Sequence, residues 1–452
     1  VGGGLAGCEA AWQALRAGLK VVLHEMRPTK MTAAHQTGNL AELVCSNSLK
    51  STLPNSAPGL LKAEMKAFDS LILRAAHDAA VPAGMALAVE REKFSAIVTE
   101  ILGNHPNFSR VDGEVTALPS AEAMAAANEC WLIATGPLTS PAMTDILNDL
   151  MGGLKRLHFY DAIAPIIEAE SIDMDKAFKA SRYDDEKGAG EEGDYLNLPL
   201  TKDEYNAFIE AVRTAEYMPL HGFEETKYFE ACLPIEVMVE RGPETLRFGP
   251  MKPVGLTDPK TGRWPWAAVQ LRLENVEGTM YSMVGFQTKM KWPEQKRVFS
   301  MIPALKNAEF FRFGSVHRNT YIESPKALSG DLSFKSQPRV FLAGQVTGVE
   351  GYTESAAIGM MAAHAAIARL TGRTWTPPPK DTMIGALVHY VTHGGLGAFQ
   401  PMNTNMGLLP PIEKKRGVGK AERKQQQCDA ATASFKSYVD RHPERSEGSL
   451  LQ

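Results

Sequence analysis

The residues best suited to chemistry stand at the start of the chain. Gly2, Gly4 and Gly7 form G-x-G-x-x-G within Val1-Gly2-Gly3-Gly4-Leu5-Ala6-Gly7. Glycines at this spacing let a backbone turn tightly and approach a pyrophosphate, which the N–H groups and dipole of the next helix stabilise. The run from Cys8 to Leu15 has a helical pattern, Gly18 ends it, and Lys20 to Glu25 reads as a strand closing in an acid. An acid about 20 residues after the glycines is placed to accept hydrogen bonds from a ribose. Gly2, Gly3, Gly4, Leu5, Ala6, Gly7 and Glu25 are therefore candidate dinucleotide-binding residues. A full first strand is expected to precede Val1. Cys45 is the other chemical candidate. It stands among small polar residues next to Ser46 and Ser48, which are suited to starting a helix, and a helix N-terminus makes a thiolate available. Burial as a small hydrophobe is an equally good reading of that residue.

The elements that must hold such a site follow from the pattern of the chain. Residues 29–59 are rich in Thr, Ser, Asn, Gly and Pro. A loop that long inside a compact domain is usually functional. Helix is expected at 60–80 and 91–102, with an apolar strand at Ala86–Val89 between them. Cys130 to Pro137 reads as a buried strand ending in Thr135-Gly136, and Arg339 to Gln345 as another ending in Gly344-Gln345. The latter runs through Gly351 and Tyr352 into an alanine-rich helix reaching about Leu370. These strand ends also direct backbone N–H groups at a ligand. Nucleotide motifs at both ends of the chain imply a split first domain, residues 1–155 and 331–435. Residues 156–330 form an inserted smaller α+β domain, and a frayed tail covers 436–452. The fold class is α/β, a Rossmann-like domain of glutathione-reductase type, and the split layout favours FAD over NAD as the tightly held ligand.

Composition narrows the function. The chain has 452 residues, of which 44% are hydrophobic and 22% charged, with a formal net charge of −4. No global basic field advertises a nucleic-acid partner, so any such partner must be held locally. The segment 286–318 is the candidate: Lys289, Lys291, Lys296, Arg297, Arg312 and Arg318 alternate with Phe286, Trp292, Phe299, Phe310, Phe311 and Phe313. Basic side chains pair with phosphates and rings stack on unpaired bases; a solvated helix face over ordinary core aromatics explains the composition equally well. The five cysteines are scattered and lack C-x-x-C spacing, which argues against a disulfide framework or a metal site and fits a reducing cytoplasm. No apolar run is long enough to span a bilayer.

Several strings are more specific. Glu42-Leu43-Val44-Cys45-Ser46-Asn47-Ser48, Leu246-Arg247-Phe248-Gly249-Pro250-Met251-Lys252-Pro253-Val254-Gly255-Leu256, Gly344–Ala357 and Phe399–Pro411, with Val1–Gly7, resemble the folate- and FAD-dependent tRNA uracil-5-methyltransferase family, TrmFO. The resemblance runs to about residue 430. The Gly-Gln-x-x-Gly-x-x-Gly-Tyr string is shared with the larger MnmG (GidA) flavoproteins. The resemblance implies methylation at C5 of the T-loop uridine (position 54) of tRNA. The carbon comes from 5,10-methylenetetrahydrofolate and the electrons from NADPH or NADH through FAD. It implies Cys232 as the nucleophile on C6, Cys45 as a second active-site thiol, and Tyr352 over the flavin ring. It also makes 286–318 the preferred tRNA surface. The same chemistry on a ribosomal RNA uridine, and a non-catalytic flavin- and RNA-binding protein, are the alternatives.

Overall fold

The computed structural model describes residues 1–32, 34–152, 156–182, 193–218, 233–275, 278–394, 399–412 and 419–441; for 156–163, 315–320 and 420 the description is of backbone only. Parallel strands carry the N-terminal motif. Val21–Glu25 pairs with Phe108–Asp112, and Trp131–Ile133 pairs with Val340–Leu342. Residues 1 and 2 link the two pairs: Gly2 N–H donates to His24 O at 2.8 Å, and Ala134 N–H donates to Val1 O at 2.8 Å. The helices Leu5–Arg16 and Tyr352–Leu370 pack closely on this layer. Their approach requires glycine at 359, where a Cβ would lie 2.2 Å from the carbonyl oxygen of Ala6.

A second sheet is antiparallel and six-stranded, in the order 310–312, 166–168, 280–283, 267–273, 195–200, 178–179. The ribbon of Arg156–Ile163 against Ser315–Ile322 carries the chain out to it and back. Each sheet has its own hydrophobic core, one drawn from residues between 5 and 151 and between 321 and 438, the other from residues between 167 and 308. The alternating strand Tyr195–Leu200 and the amphipathic helix Lys202–Arg213 build much of the second core. A capping box of Thr201 and Glu204 sets the start of that helix.

Two local expectations change. The helical stretch expected over 60–80 is two helices, Ala57–Ala67 and Leu71–Asp78, because Asp69 takes a positive φ of 53° and Ser70 caps a new start. The helix Lys420–Asp440 runs past residue 436, where a tail was expected to fray, because Phe435 and Tyr438 are buried and the Tyr438 hydroxyl donates to Thr376 O at 2.9 Å. Among the described residues no helix is long and apolar enough to cross a membrane.

Candidate functional site

A cleft of about 1030 Å³ opens at the C-terminal ends of the parallel strands. Gly2, Gly3, Gly4, Leu5, Ala6, Glu25, Thr135, Gly136, Gly344, Gln345 and Tyr352 all line it. The three motif glycines have separate jobs. Gly2 has φ +99°, and a Cβ there would lie 2.5 Å from Ala134 O. At Gly7 a Cβ would lie 1.9 Å from Gly2 O, so that glycine allows the helix to sit against the turn. At Gly4 a Cβ would meet nothing within 4 Å. Gly4 therefore opens on the cleft, at the start of a helix whose first N–H groups have no side-chain cap. An uncapped helix start, an open glycine and an acid at the next strand's end fit the pyrophosphate and ribose of a dinucleotide. Gly351 stands outside the cleft lining. It precedes the helix Tyr352–Leu370, and its φ of +120° and the adjacent Glu354 carboxylate leave no room for a side chain.

Glu25 is held in place by charge. It accepts the Gly3 N–H at 2.6 Å and pairs with Arg27, whose Nε lies 3.1 Å from Oε1. Burial alone would raise the Glu25 carboxyl, but the hydrogen bonds and charge of Arg27 outweigh it and hold the group below its ordinary value. Arg27 also reaches Glu42 at 3.1 Å, so one buried guanidinium joins the ribose-side acid to the loop that carries Cys45.

That loop is fixed at nearly every backbone group. The N–H groups of Cys45 and Ser46 donate to the Tyr352 hydroxyl oxygen at 2.7 and 3.2 Å. Arg312 Nη2 donates to Val44 O at 3.0 Å, and Arg91 donates to the carbonyls of Leu43 and Cys45, each at 3.4 Å. Asn47, fully buried, donates to Leu273 O at 2.9 Å and accepts from Arg272 Nε at 2.8 Å. Arg91 is paired with Glu274 at 2.8 Å. Burial lowers the Arg272 and Arg312 guanidiniums. Burial likewise pushes the Tyr352 phenol above its ordinary value, and the nearby Cys45 adds to this, so the phenol keeps its proton at neutral pH. Below the loop, Lys50 Nζ lies 2.6 Å from the buried Glu354 carboxylate, which also accepts the Thr404 N–H at 3.0 Å.

Cys45 is half-buried in a loop that bonds to the six-stranded sheet through Asn47 and Val44, and Cys232 lies outside the described residues. Burial raises the thiols of Cys8, Cys130 and Cys428, the opposite of the shift that favours a thiolate. Lys289, Lys291 and Arg297 are each paired with an acid, Glu240, Glu216 and Glu294; Lys296 is exposed. Arg312 faces the Cys45 loop and not the outer surface. The strand Phe310–Arg312 is bulged against its neighbour, with Phe310 opposite Ile167 and Arg312 opposite Ile166. A bulge re-aims a side chain, and the run of basic residues does not reveal it. The Arg318 side chain lies outside the described residues. Arg27, Asn47, Arg91, Arg272 and Glu274 are site residues that the sequence reading missed. Arg27, two positions after Glu25, had the only local signal.

Fold and cleft together define a Rossmann-type α/β flavoprotein. The family model described as glucose inhibited division protein A matches residues 1–374. A Moorella thermoacetica protein named methylenetetrahydrofolate--tRNA-(uracil-5-)-methyltransferase TrmFO is 55% identical over 92% of both chains. Proteins of the same name from Anaeromyxobacter dehalogenans and Heliobacterium modesticaldum are 52% and 53% identical. The first alignment covers 98% of this chain and 96% of the relative, the second 97% of each. Aquifex aeolicus GidA has the same fold, with a TM-score of 0.68 at 14% identity, over all of this chain and 73% of that one. The chain belongs to the TrmFO family of GidA-related proteins.

Proposed function

We propose that this chain methylates C5 of a tRNA uracil with 5,10-methylenetetrahydrofolate as carbon donor, as its relatives are named for doing. The observation that carries the reading is the Cys45 loop, latched through Tyr352 to the helix beside the dinucleotide cleft. Uracil C5 is a poor nucleophile until a thiolate adds at C6, after which a second group must remove the C5 proton. Cys232 is the nucleophile, and Cys45, fixed by Tyr352, Arg91 and Arg312, takes that proton. Gly2, Gly3, Gly4, Leu5, Ala6 and Glu25 would hold the phosphate and ribose groups of FAD, with Thr135, Gly136, Gly344 and Gln345 across the cleft. When bound, FAD supplies the electrons that reduce the transferred carbon to a methyl group. NADPH or NADH is the source of those electrons.

The target is the T-loop uridine, and the enzyme works in the cytoplasm with its tRNA. Lys289, Lys291, Lys296 and Arg297 offer cations to the phosphates. Trp292 and Phe311, 56% and 58% exposed, offer rings to unpaired bases. Methyl transfer into an unmodified tRNA transcript tests the proposal, in the presence of FAD, NADPH and methylenetetrahydrofolate. Folate-dependent 5-methyluridine in the T-loop, lost in Cys232→Ala and Cys45→Ala, is the expected result. A flavin-loaded protein that leaves tRNA unmethylated overturns it.

A further inference from the structure

Among the described residues around the Cys45 loop, the guanidiniums outnumber the carboxylates they interact with. Among the described residues, Arg91, Arg272 and Arg312 interact with one another or with Glu274, and Glu274 is the single carboxylate in that group. Glu274 is taken by Arg91 at 2.8 Å, and Arg272 is anchored on Asn47. Arg312 differs from both. Among the described residues it makes one hydrogen bond, to Val44 O, and no carboxylate lies within ion-pair distance of it, Glu274 acting on it only from farther away. It is half-buried, close enough to Cys45 and Tyr352 for their charges to interact, and it is turned to that position by the bulge in its strand. A guanidinium has five N–H donors in a rigid fork. One of them fixes the loop, and among the described residues the rest of the fork makes no hydrogen bond. Like charges that outnumber their counter-ions cost stability unless a further anion arrives to meet them.

On the proposed function, the reaction itself makes such an anion. When the thiolate adds, its lone pair forms the S–C6 bond. The C5–C6 π pair becomes a C4–C5 double bond, and the C4 carbonyl π pair moves onto O4. The 4-oxygen becomes an enolate oxygen. No other reactant is needed, and the charge returns to C5 when that carbon forms its new bond. We propose that Arg312 is a catalytic residue that donates to uracil O4 and stabilises this enolate. This reading rests on the methyltransferase function proposed above. A preorganised donor aimed at developing charge acts on the transition state more than on the bound substrate. Arg312 should therefore govern turnover and leave tRNA affinity almost untouched.

The test uses the flavin-loaded enzyme and two tRNA transcripts, one normal and one with sulfur replacing O4 of the target uridine. Single-turnover methylation and tRNA binding are measured for wild type, R312Q and R312K. Losing one such donor costs about 100-fold or more in rate. R312Q is expected to fall by that factor, with its tRNA Kd within about 3-fold of wild type by the same argument, and R312K to recover part of the rate. Sulfur accepts hydrogen bonds weakly, so the thio-substituted tRNA should slow wild type strongly and R312Q little. Equal sulfur effects in wild type and R312Q overturn the proposal. So does a loss confined to tRNA affinity, or a changed pH profile of Cys45 alkylation with no sulfur dependence, which would assign Arg312 to the thiol. If R312Q fails to hold flavin, R312A takes its place, since an undiminished sulfur effect in a variant that has no donor at this position overturns the proposal. Wild type that methylates neither transcript instead refutes the methyltransferase function.

Discussion

The hydroxyl oxygen of Tyr352 accepts the backbone N–H of Cys45 at 2.7 Å and that of Ser46 at 3.2 Å. A helix start in the last third of the chain thus sets the conformation of a loop near its beginning. Removing the phenol oxygen in Tyr352→Phe strands two N–H donors, at about 1–3 kcal/mol for a buried group. On the proposed function, Cys45 would then lose its orientation toward C5 while the dinucleotide cleft keeps its shape. Tyr352→Phe is expected to hold flavin at the wild-type level and to methylate about 5- to 150-fold more slowly, the rate equivalent of that free energy. Flavin absorbance and single-turnover rates check this. A variant as fast as wild type would show that the latch does not position the thiol.

Gly4 and Gly7 separate affinity from folding. A Cβ at Gly7 would lie 1.9 Å from Gly2 O, while at Gly4 nothing lies within 4 Å. Gly7→Ala should lower the melting temperature of the protein freed of flavin, since backbone must shift to admit it. Gly4→Ala should melt like wild type without flavin and bind FAD more weakly, because its methyl group stands where phosphate must approach. Calorimetry of both proteins, with and without FAD, distinguishes the two effects.

The motif glycines, Glu25, the strand-end Thr135-Gly136 and Gly344-Gln345 were legible because each belongs to a local pattern of turn, helix and strand. The order of the elements followed from the same patterns. The surroundings of Arg312 were hidden for the opposite reason. In the sequence it belongs to a basic run with Lys289 to Arg297, whereas a one-residue bulge turns it toward Cys45. The clasp of Asn47 by Arg272 and Leu273 joins residues more than 200 positions apart, and no spacing rule within either segment announces it. The partners of Arg91 are equally remote: Glu274 is 183 positions away. Long-range ion pairs follow from tertiary placement, which one sequence does not display.

Arg27 is the buried cation between two acids. It is 2% exposed, and its guanidinium pairs with Glu25 and Glu42. Arg27→Met leaves both carboxylates without their partner, and breaking such a buried pair costs about 3–5 kcal/mol. Loss of bound flavin is expected with it, since Glu25 lines the cleft and, on the proposed function, would hold the ribose. The pH dependence has a definite sign. The folded-state value of Glu25 is held below its ordinary one, so its contribution is complete above the ordinary carboxylate range and is lost as pH falls through the depressed value. Without Arg27 that acid limb should move to higher pH. Melts of wild type and Arg27→Met in a series of acid buffers measure the displacement; coincident limbs would refute the coupling.

Lys62 makes the opposite prediction at alkaline pH. Its ammonium donates to Ser51 O at 2.9 Å and Pro58 O at 3.3 Å. Burial brings its pKa down to about 8; the Glu354 carboxylate opposes this and the Lys50 ammonium adds to it. A lysine depressed on folding binds fewer protons in the native state than in the unfolded one between about 8 and its ordinary value of 10.5. Stability from this group therefore rises as pH climbs through that window, and below it the cost of burying the charge is felt in full. The shift corresponds to about 2–3 kcal/mol. Lys62→Met carries no proton in either state, so the difference in unfolding free energy between wild type and variant should move in favour of wild type by that amount from about pH 8 to pH 10. Denaturant unfolding of the two proteins across this range gives the difference directly. A difference independent of pH would mean that Lys62 keeps its proton, with Glu354 and not burial governing the pair.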